Sequence, residues 1–552
     1  MGNDDPPVRA SFAIMNDDAA VGIGKIQTVH HHQGFDIDIQ FTTPPVKHLF
    51  EVSILEIQLT GNQIVFLVKR SAGYKHLDGF HAAKITTPIG RYEGAADLSL
   101  RMLYLARTYL MLTTLITQGF GLFAQDPESV NPMQGIVDVR QYDLELWIHP
   151  GDTAIRGKIT IDLKMLKTVH ELILQFEDLR ITSLKSNSGK TNFKYDGKQI
   201  FIHTQKKIKR GRTIQLILEY EGQPSDGLII RQNETRYTVF ADNWASRARN
   251  WFPSVDHPSD KARFHVTVHT ADTLEVIANG VKINESGLNG QKTIIYHMDH
   301  PIPTYCMVIG MAQMSIASEQ TAGGIPLYYY TYREDSSLAR ESFKRVADMV
   351  QFYDSLIGAF PYDRLSLVQS STRFGGMENS SAIFLADQGV VYRRRSNPEG
   401  MLAHEIAHQW FGDAVTQSSW ADLWLSEGFA TYFSALYFEA RDGKNKFDSI
   451  LDRTRSEYLR RSPKKAPVIY DGYPQLFQML NAENYQKGGL FLHALRQAMG
   501  DDSFFSAIRK YYSLFKHRNT STADFQALAE AESRKGLDDL FTIWLRHPGL
   551  PE

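Results

Sequence analysis

The sequence predicts an α+β protein in which a β-rich region precedes a mainly helical one, and two patterns carry that prediction. Between residues 131 and 322 apolar side chains recur at every second position, as in Tyr142, Leu144, Leu146 and Ile148, which is the period of a strand with one buried face. Beyond Tyr332 the spacing lengthens to that of a helix, with Phe343, Val346, Val350 and Tyr353 along one face. The 552 residues allow about three to five domains at roughly 100–200 residues each. Hydrophobic residues at 43% and charged residues at 22% are globular values, which exclude wholesale disorder, collagen-like repeats and a polytopic membrane protein. Sixty Lys and Arg nearly cancel 62 Asp and Glu, leaving a net charge of −2. No global field therefore gathers nucleic acid or an anionic membrane, and any partner is recognised at a local site. The single cysteine, Cys306, has no intrachain partner, so stability rests on packing.

Residues 1–101 carry strand-like runs at 52–55 and Gln63–Val68 but no chemistry to assign. His30, His31 and His32 are read as a solvated tract, because three successive strand side chains cannot all face one ion. Residues 102–124 have the layout of a secretory signal peptide: Met102 and Arg107, an apolar stretch from Tyr109 to Phe123, then Ala124 before the polar Gln125-Asp126-Pro127. The stretch is shorter than the ~20 residues of a comfortable span and is interrupted by Thr113, Thr114, Thr117 and Gln118, so no stable membrane span is expected. A membrane anchor and a buried helix are the other readings. A signal at this position makes Met102 the expected start, with the upstream part as in-frame read-through, and implies export; without a signal the protein is cytoplasmic.

In the β-rich region, Pro150-Gly151-Asp152 turns the chain from the first strand toward Ile159, Ile161 and Leu163, an antiparallel pair. The alternation recurs in Ile214, Leu216, Leu218 and Tyr220 and in Phe264, Val266 and Val268, with Gly211 and Asn289-Gly290 as turn residues. The basic run Lys206-Lys207-Ile208-Lys209-Arg210 is expected at a solvated hairpin tip. Residues 323–552 form the second domain, and Ser336 and Ser337 are candidate caps for its first helix.

The chemical signal is His404-Glu405-Ile406-Ala407-His408, preceded by the helix-starting pair Asn397-Pro398. Residues four apart share a helix face, so His404 and His408 can present two imidazoles to one ion, and neutral imidazole suits zinc. A catalytic Zn2+ needs a third protein ligand, and Glu427 follows on the expected next helix, leaving a fourth position for water. Glu405, beside the ligands, can accept the proton of that water and pass it on, an arrangement suited to peptide hydrolysis.

With the run continuing into Gln409-Trp410-Phe411-Gly412, this segment resembles the gluzincin zinc aminopeptidases of the aminopeptidase N and leukotriene hydrolase type. Gly375-Gly376-Met377-Glu378-Asn379 is similar to that family's Gly-x-Met-Glu-Asn loop, and Tyr485-Gln486-Lys487-Gly488, followed by Leu492, Leu495 and Arg496, resembles its tyrosine-bearing helix. The resemblance spans about residues 135–552, including Ala248-Arg249, Phe252-Pro253, Asp256 and Pro258 in the segment expected under the active site. It implies an antiparallel β saddle packed on a thermolysin-like domain and one Zn2+ on His404, His408 and Glu427. It also implies Glu405 as general base, Tyr485 as donor to the oxyanion, and Glu378, on the Gly375-Gly376-Met377 strand, as the group that holds a peptide's free N-terminus.

Two departures from the family stand out. Trp244 occupies the position where the resemblance implies a Gln or Glu that grips the α-ammonium, and an indole can offer only a cation–π contact, worth ~0.5–2 kcal/mol. Asp242, two residues earlier, is a candidate to reach in instead. The family's helical roof domain has no counterpart before Glu552, which suggests a more open site. The expectation is a zinc-dependent aminopeptidase acting on peptides with a free N-terminus, with no nucleic-acid partner and an oligomeric state left open. A non-catalytic zinc- or peptide-binding relative and an epoxide hydrolase of the leukotriene type are the alternatives.

Overall fold

Alternating apolar residues are realised as sheets whose inner faces are closed to water. The computed structural model describes residues 130–233, 236–386, 390, 398–462 and 466–551, together with the backbone of five strands between residues 9 and 68. The chain divides into two units, Met1–Gln118 and Gly119–Glu552. In the first, Arg9–Asn16, Ala19–His31 and Gly34–Thr42 form an antiparallel sheet, and the Gln63–Val68 run pairs with Leu55–Thr60. The signal-like segment 102–124 and the side chains of the histidine tract lie outside the described residues.

In the second unit the seven-stranded sheet runs in the order Val281–Leu288, Gln291–Pro303, Lys261–Ala271, Val137–Trp147, Ile155–Met165, Thr213–Gly222, Arg180–Ser186. Leu144, Leu146, Ile159, Ile161, Leu218, Val266 and Met298 are among the residues buried on its inner face. One pairing differs from the antiparallel expectation: Lys261–Ala271 runs parallel to Val137–Trp147, because the chain returns to that strand from elsewhere in the fold. Asn289 and Gly290 both have positive φ, 53° and 78°, as a tight two-residue hairpin turn requires. The basic run is not a hairpin tip. It closes the strand Gln199–Ile208 and crosses to Thr213–Gly222 in a different sheet, with Ile208 buried and the lysines exposed.

The helical region opens on a mixed five-stranded sheet, ordered Met314–Gln320, Pro326–Tyr332, Leu365–Ser370, Ala382–Ala386, Gly376–Met377. Its edge strand, Gly376–Met377, is antiparallel to Ala382–Ala386. Helices α1 (Ser336–Phe343) and α2 (Val346–Ile357) follow, burying Phe343, Val346, Met349, Val350 and Tyr353 as their spacing requires. The expected serine caps are displaced, because a 3-10 turn, Arg333–Asp335, already starts the coil, and the Ser336 hydroxyl donates back to the Arg333 carbonyl at 3.0 Å. Then come α3 (Glu399–His408), α4 (Trp424–Asp442), α5 (Lys444–Arg461), α6 (Gly488–Met499) and α7 (Asp501–Phe515). The buried Tyr353 hydroxyl, with contacts of 2.9 Å to the Ala403 carbonyl and 3.2 Å to that of Phe433, ties α2 to α3 and α4. No helix among the described residues is long and apolar enough to cross a membrane.

Buried polar contacts join the β-rich and helical regions. The Asn279 amide donates to the carbonyls of Cys306 (2.8 Å) and Ser380 (2.7 Å) and accepts from the Val308 N–H (2.7 Å). Lys261 Nζ donates to the carbonyls of Asp413 and Ala414, each at 2.8 Å, and the Tyr305 hydroxyl donates to that of Gly412 at 3.0 Å. Within the segment after Ala248, the buried Arg249 guanidinium pairs with Asp256 at 3.0 Å, and the Thr304 hydroxyl donates to the same carboxylate at 2.7 Å.

Asn279→Ala leaves two buried carbonyls and one N–H without their partner, at a cost of roughly 3 kcal/mol. A lowered midpoint of urea denaturation is the expected outcome, and an unchanged midpoint would show that water replaces the amide.

Candidate active site

Pro398 is the N-cap of helix α3, with φ −70° and a carbonyl that accepts the Leu402 N–H at 2.8 Å, one position outside the first turn expected for it; Asn397 lies outside the described residues. After His408 the chain turns sharply at Gly412, with φ +113°. A Cβ there would stand 2.3 Å from Ser426 Oγ and 3.0 Å from His408 Nδ1, so glycine is required for both the backbone angle and the space. His408 Nδ1 lies 3.0 Å from the Phe411 carbonyl and 3.1 Å from Ser426 Oγ. The carbonyl can only accept, so Nδ1 carries the hydrogen and Nε2 keeps its lone pair for the centre of the site.

That centre is a triangle of donor atoms: His404 Nε2 to His408 Nε2 is 3.0 Å, and each lies 3.3 Å from Glu427 Oε2. Ligands bound tetrahedrally at the usual zinc distances of about 2.0–2.2 Å stand roughly 3.3–3.5 Å apart. Two imidazole nitrogens held 3.0 Å apart need a proton or a cation between them, and the residues present fit Zn2+.

Electrostatics point the same way. Burial by itself would raise the Glu427 carboxyl, but the imidazoles of His408 and His404 overturn that and hold it at about 2. Burial would lower His408, but the carboxylates of Glu427 and Glu378 lift it to about 10. Burial lowers His404 and pushes Glu378 up to about 7 and Glu405 well above the carboxylate range. Three carboxyl groups thus surround two imidazoles in a largely buried site, which is a well for a cation.

The Gly375–Glu378 run passes directly against α3. A Cβ on Gly376 would fall 2.5 Å from the Glu405 carboxyl, so a larger residue there would displace that side chain. Gln409, the residue after His408, fixes the turn that carries Glu378. Its side-chain nitrogen donates to the Glu378 carbonyl at 2.7 Å and to Asp413 at 2.9 Å, and its oxygen accepts the Ser381 N–H at 2.7 Å. Tyr485 sits in a π-helical turn, Glu483–Lys487, at the start of α6, its ring parallel to that of His404 with centroids 5.8 Å apart. Gly428 on α4 and Gly488 on α6 set that position: a Cβ on either would lie about 3 Å from the other's backbone.

All nine residues expected from the sequence, Gly375, Gly376, Met377, Glu378, His404, Glu405, His408, Glu427 and Tyr485, line one cavity of about 440 Å³. Trp244, Phe374, Met401 and Leu480 add an apolar wall. Trp244 is buried and packs edge-on to Phe374, Trp420 and Phe477. Asp242 does not take its place. That carboxylate is fully buried 3.2 Å from the Arg247 guanidinium, accepts the Arg373 N–H at 3.2 Å, and is absent from the cavity lining. Gln409, Ser426 and Gly412 escaped functional assignment from sequence; their only signal there was adjacency to the motif residues they position.

Residues 139–306 match the family description "Peptidase M1 N-terminal domain" and residues 341–544 match "Peptidase family M1 domain". Among curated relatives, a probable aminopeptidase 2 of Sulfurisphaera tokodaii is 28% identical over 70% of this chain and 51% of its own length. A leucyl aminopeptidase of Saccharolobus solfataricus is 25% identical over 75% of this chain and 54% of its own. The chain therefore spans about half the length of the curated relatives it matches. In three dimensions it is similar to an M1 zinc metallopeptidase from Deinococcus radiodurans, with a TM-score of 0.65 and 24% identity over 76% of this chain and 96% of that one.

Because His408 without metal holds a proton up to about pH 10 and a ligand must be neutral, Zn2+ uptake at pH 7–8 is expected to release at least one proton. Apparent affinity then rises with pH through the neutral range. Calorimetry in buffers of different ionisation enthalpy checks this, and buffer-independent heats would refute it.

Proposed function

Since this chain belongs to peptidase family M1, we propose that it is a zinc aminopeptidase that removes residues from the free N-terminus of peptides. His404, His408 and Glu427 hold the ion. Bound there, Zn2+ lowers the pKa of a water and polarises the scissile carbonyl. The Glu405 carboxylate, pressed against Gly376, takes up a proton at its oxygen and returns it to the leaving amine. The Tyr485 hydroxyl donates where negative charge develops on the carbonyl oxygen. The edge strand Gly376–Met377 is hydrogen-bonded to a neighbouring strand on one side only, so its other side can receive the extended backbone of a substrate.

The observation that carries the exopeptidase reading is Glu378. Its buried carboxyl shares the cavity with the donor triangle, and its turn is tied through Gln409 to the zinc helix itself. An ammonium is the substrate group that satisfies such a carboxylate, and only the first residue of a peptide brings one at its backbone. Trp244 adds an indole to the lining rather than a second carboxylate. With Phe374 and Leu480 beside it, the first-residue side chain is expected to be apolar or aromatic. Export is our reading from the signal-like segment 102–124 alone.

Purified protein assayed on aminoacyl anilides should release chromophore, lose activity to chelator and regain it with Zn2+, with large apolar first residues preferred. Glu405→Gln should cost roughly 10²–10⁴-fold in kcat and Tyr485→Phe roughly 10²–10³-fold, both with zinc retained. N-acetylated substrates should be cleaved far more slowly; equal rates on both would overturn the amine clamp. Gln409→Met should raise KM for free-amine substrates more than it lowers kcat, with unchanged zinc content, because it loosens the Glu378 turn and not the ligands.

A further inference from the structure

Away from the cavity, the described residues hold one other group of side chains able to ligate a metal: His265, His297 and Asp299. It lies on the outward face of the seven-stranded sheet. His265 is directly opposite His297 on one neighbouring strand and Asp143 on the other, so the three stand in a row across three strands. Asp299 follows His297 by two residues and shares its face. Their sequence neighbours Phe264, Val266, Tyr296 and Met298 are buried on the opposite face.

The chemistry of the row is ordered. His265 Nε2 is 2.9 Å from Asp299 Oδ1, and His265 Nδ1 is 3.2 Å from Asp143 Oδ1. The Gln141 amide donates to that same Asp143 oxygen at 2.8 Å, which holds the carboxylate in place. Asp143 accepts the Nδ1 hydrogen and Asp299 accepts the one on Nε2, and it is the hydrogen between Nε2 and Asp299 that a metal ion would replace. A carboxylate behind an imidazole, with the far nitrogen facing a further acid, is the arrangement that orients metal-binding histidines. The His297 ring stacks on His265 at 3.8 Å with an interplanar angle of 8°, and no hydrogen bond to its nitrogens is found among the described residues. One donor atom from each of His265, His297 and Asp299 lies within 4.8 Å of the others. Reaching the roughly 3.3 Å spacing of a shared ion requires the His297 ring to turn out of its stack on His265.

We propose that His265, His297 and Asp299 form a second site for a borderline divalent transition ion such as Zn2+, Cu2+ or Ni2+, with Asp143 as the positioning residue behind His265. Two imidazole nitrogens and one carboxylate select such ions over Mg2+ or Ca2+, which prefer oxygen alone. The side chain of Asp299 is 65% exposed, so the ion exchanges readily with solvent and its remaining positions are filled by water. The inference is independent of the peptidase reading, because none of these residues lines the cavity.

Equilibrium dialysis of the full protein against Zn2+ tests it. Wild type should bind two equivalents, the weaker one displaced by Cu2+ or Ni2+ but not by excess Mg2+. His297→Ala and His265→Ala should each abolish the weaker equivalent. Asp143→Asn should weaken it by about 10–100-fold, an effect a simple surface ion pair would not produce. All three variants should keep the tighter equivalent, the wild-type thermal midpoint and the peptidase rate. A single equivalent up to millimolar Zn2+, or a second one that persists in both histidine variants, would overturn the proposal.

Discussion

Buried charge governs the rest of this structure. Glu378, Glu405 and Glu427 share a cavity with two imidazoles, and each carboxyl has left bulk water. Taking several like charges into a poorly solvated site is unfavourable unless a cation answers them. The shifted acidities express that imbalance: His408 is driven up to about 10 and Glu378 up to about 7. The proposed Zn2+ on His404, His408 and Glu427 would answer most of it. In the proposed aminopeptidase reading the ammonium of a substrate would answer the remainder at Glu378, so one excess of negative charge would serve both the metal and the N-terminus.

Holding those groups together requires backbones to approach more closely than side chains normally permit. Gly376 lets an edge strand touch Glu405, Gly412 lets Ser426 reach His408, and Gly428 against Gly488 lets α6 bring Tyr485 beside His404. At each point a methyl group would stand at or inside 3 Å from its neighbour. Gln409 works alongside them, since its amide bridges both sides of the Glu378 turn from the residue next to His408. Distances within the site therefore depend on contacts from the backbone as much as on the ligands.

The β-rich region is part of the site's support. Asn279 and Lys261 reach from it to carbonyls around the Glu378 turn and beyond the end of α3. Trp244 comes from the same region and forms one wall of the cavity. The donor triangle built wholly from α3 and α4 is thus completed, across the cavity, by residues more than a hundred positions earlier in the chain.

By itself the sequence determined what depends on local period and spacing. Strand alternation placed Leu144, Ile161 and Val266 inside, and the four-residue step placed His404 and His408 on one face of a helix, because backbone geometry converts those spacings directly into position. It also brought in Glu427, through the need for a third zinc ligand on the next helix, and Glu378 and Tyr485, through motif resemblance and not through any local rule. Tertiary structure alone decided between Trp244 and Asp242. Both were open on spacing, and the choice turned on Arg247 and on Arg373, the latter 131 residues away, which claim the carboxylate and leave the indole to the cavity. The parallel return of Lys261–Ala271, the crossing of the basic run between sheets and the approach of α6 to α4 were undetermined for the same reason. Each is set by which distant surface packs against it, and a single strand or helix carries no record of its partner.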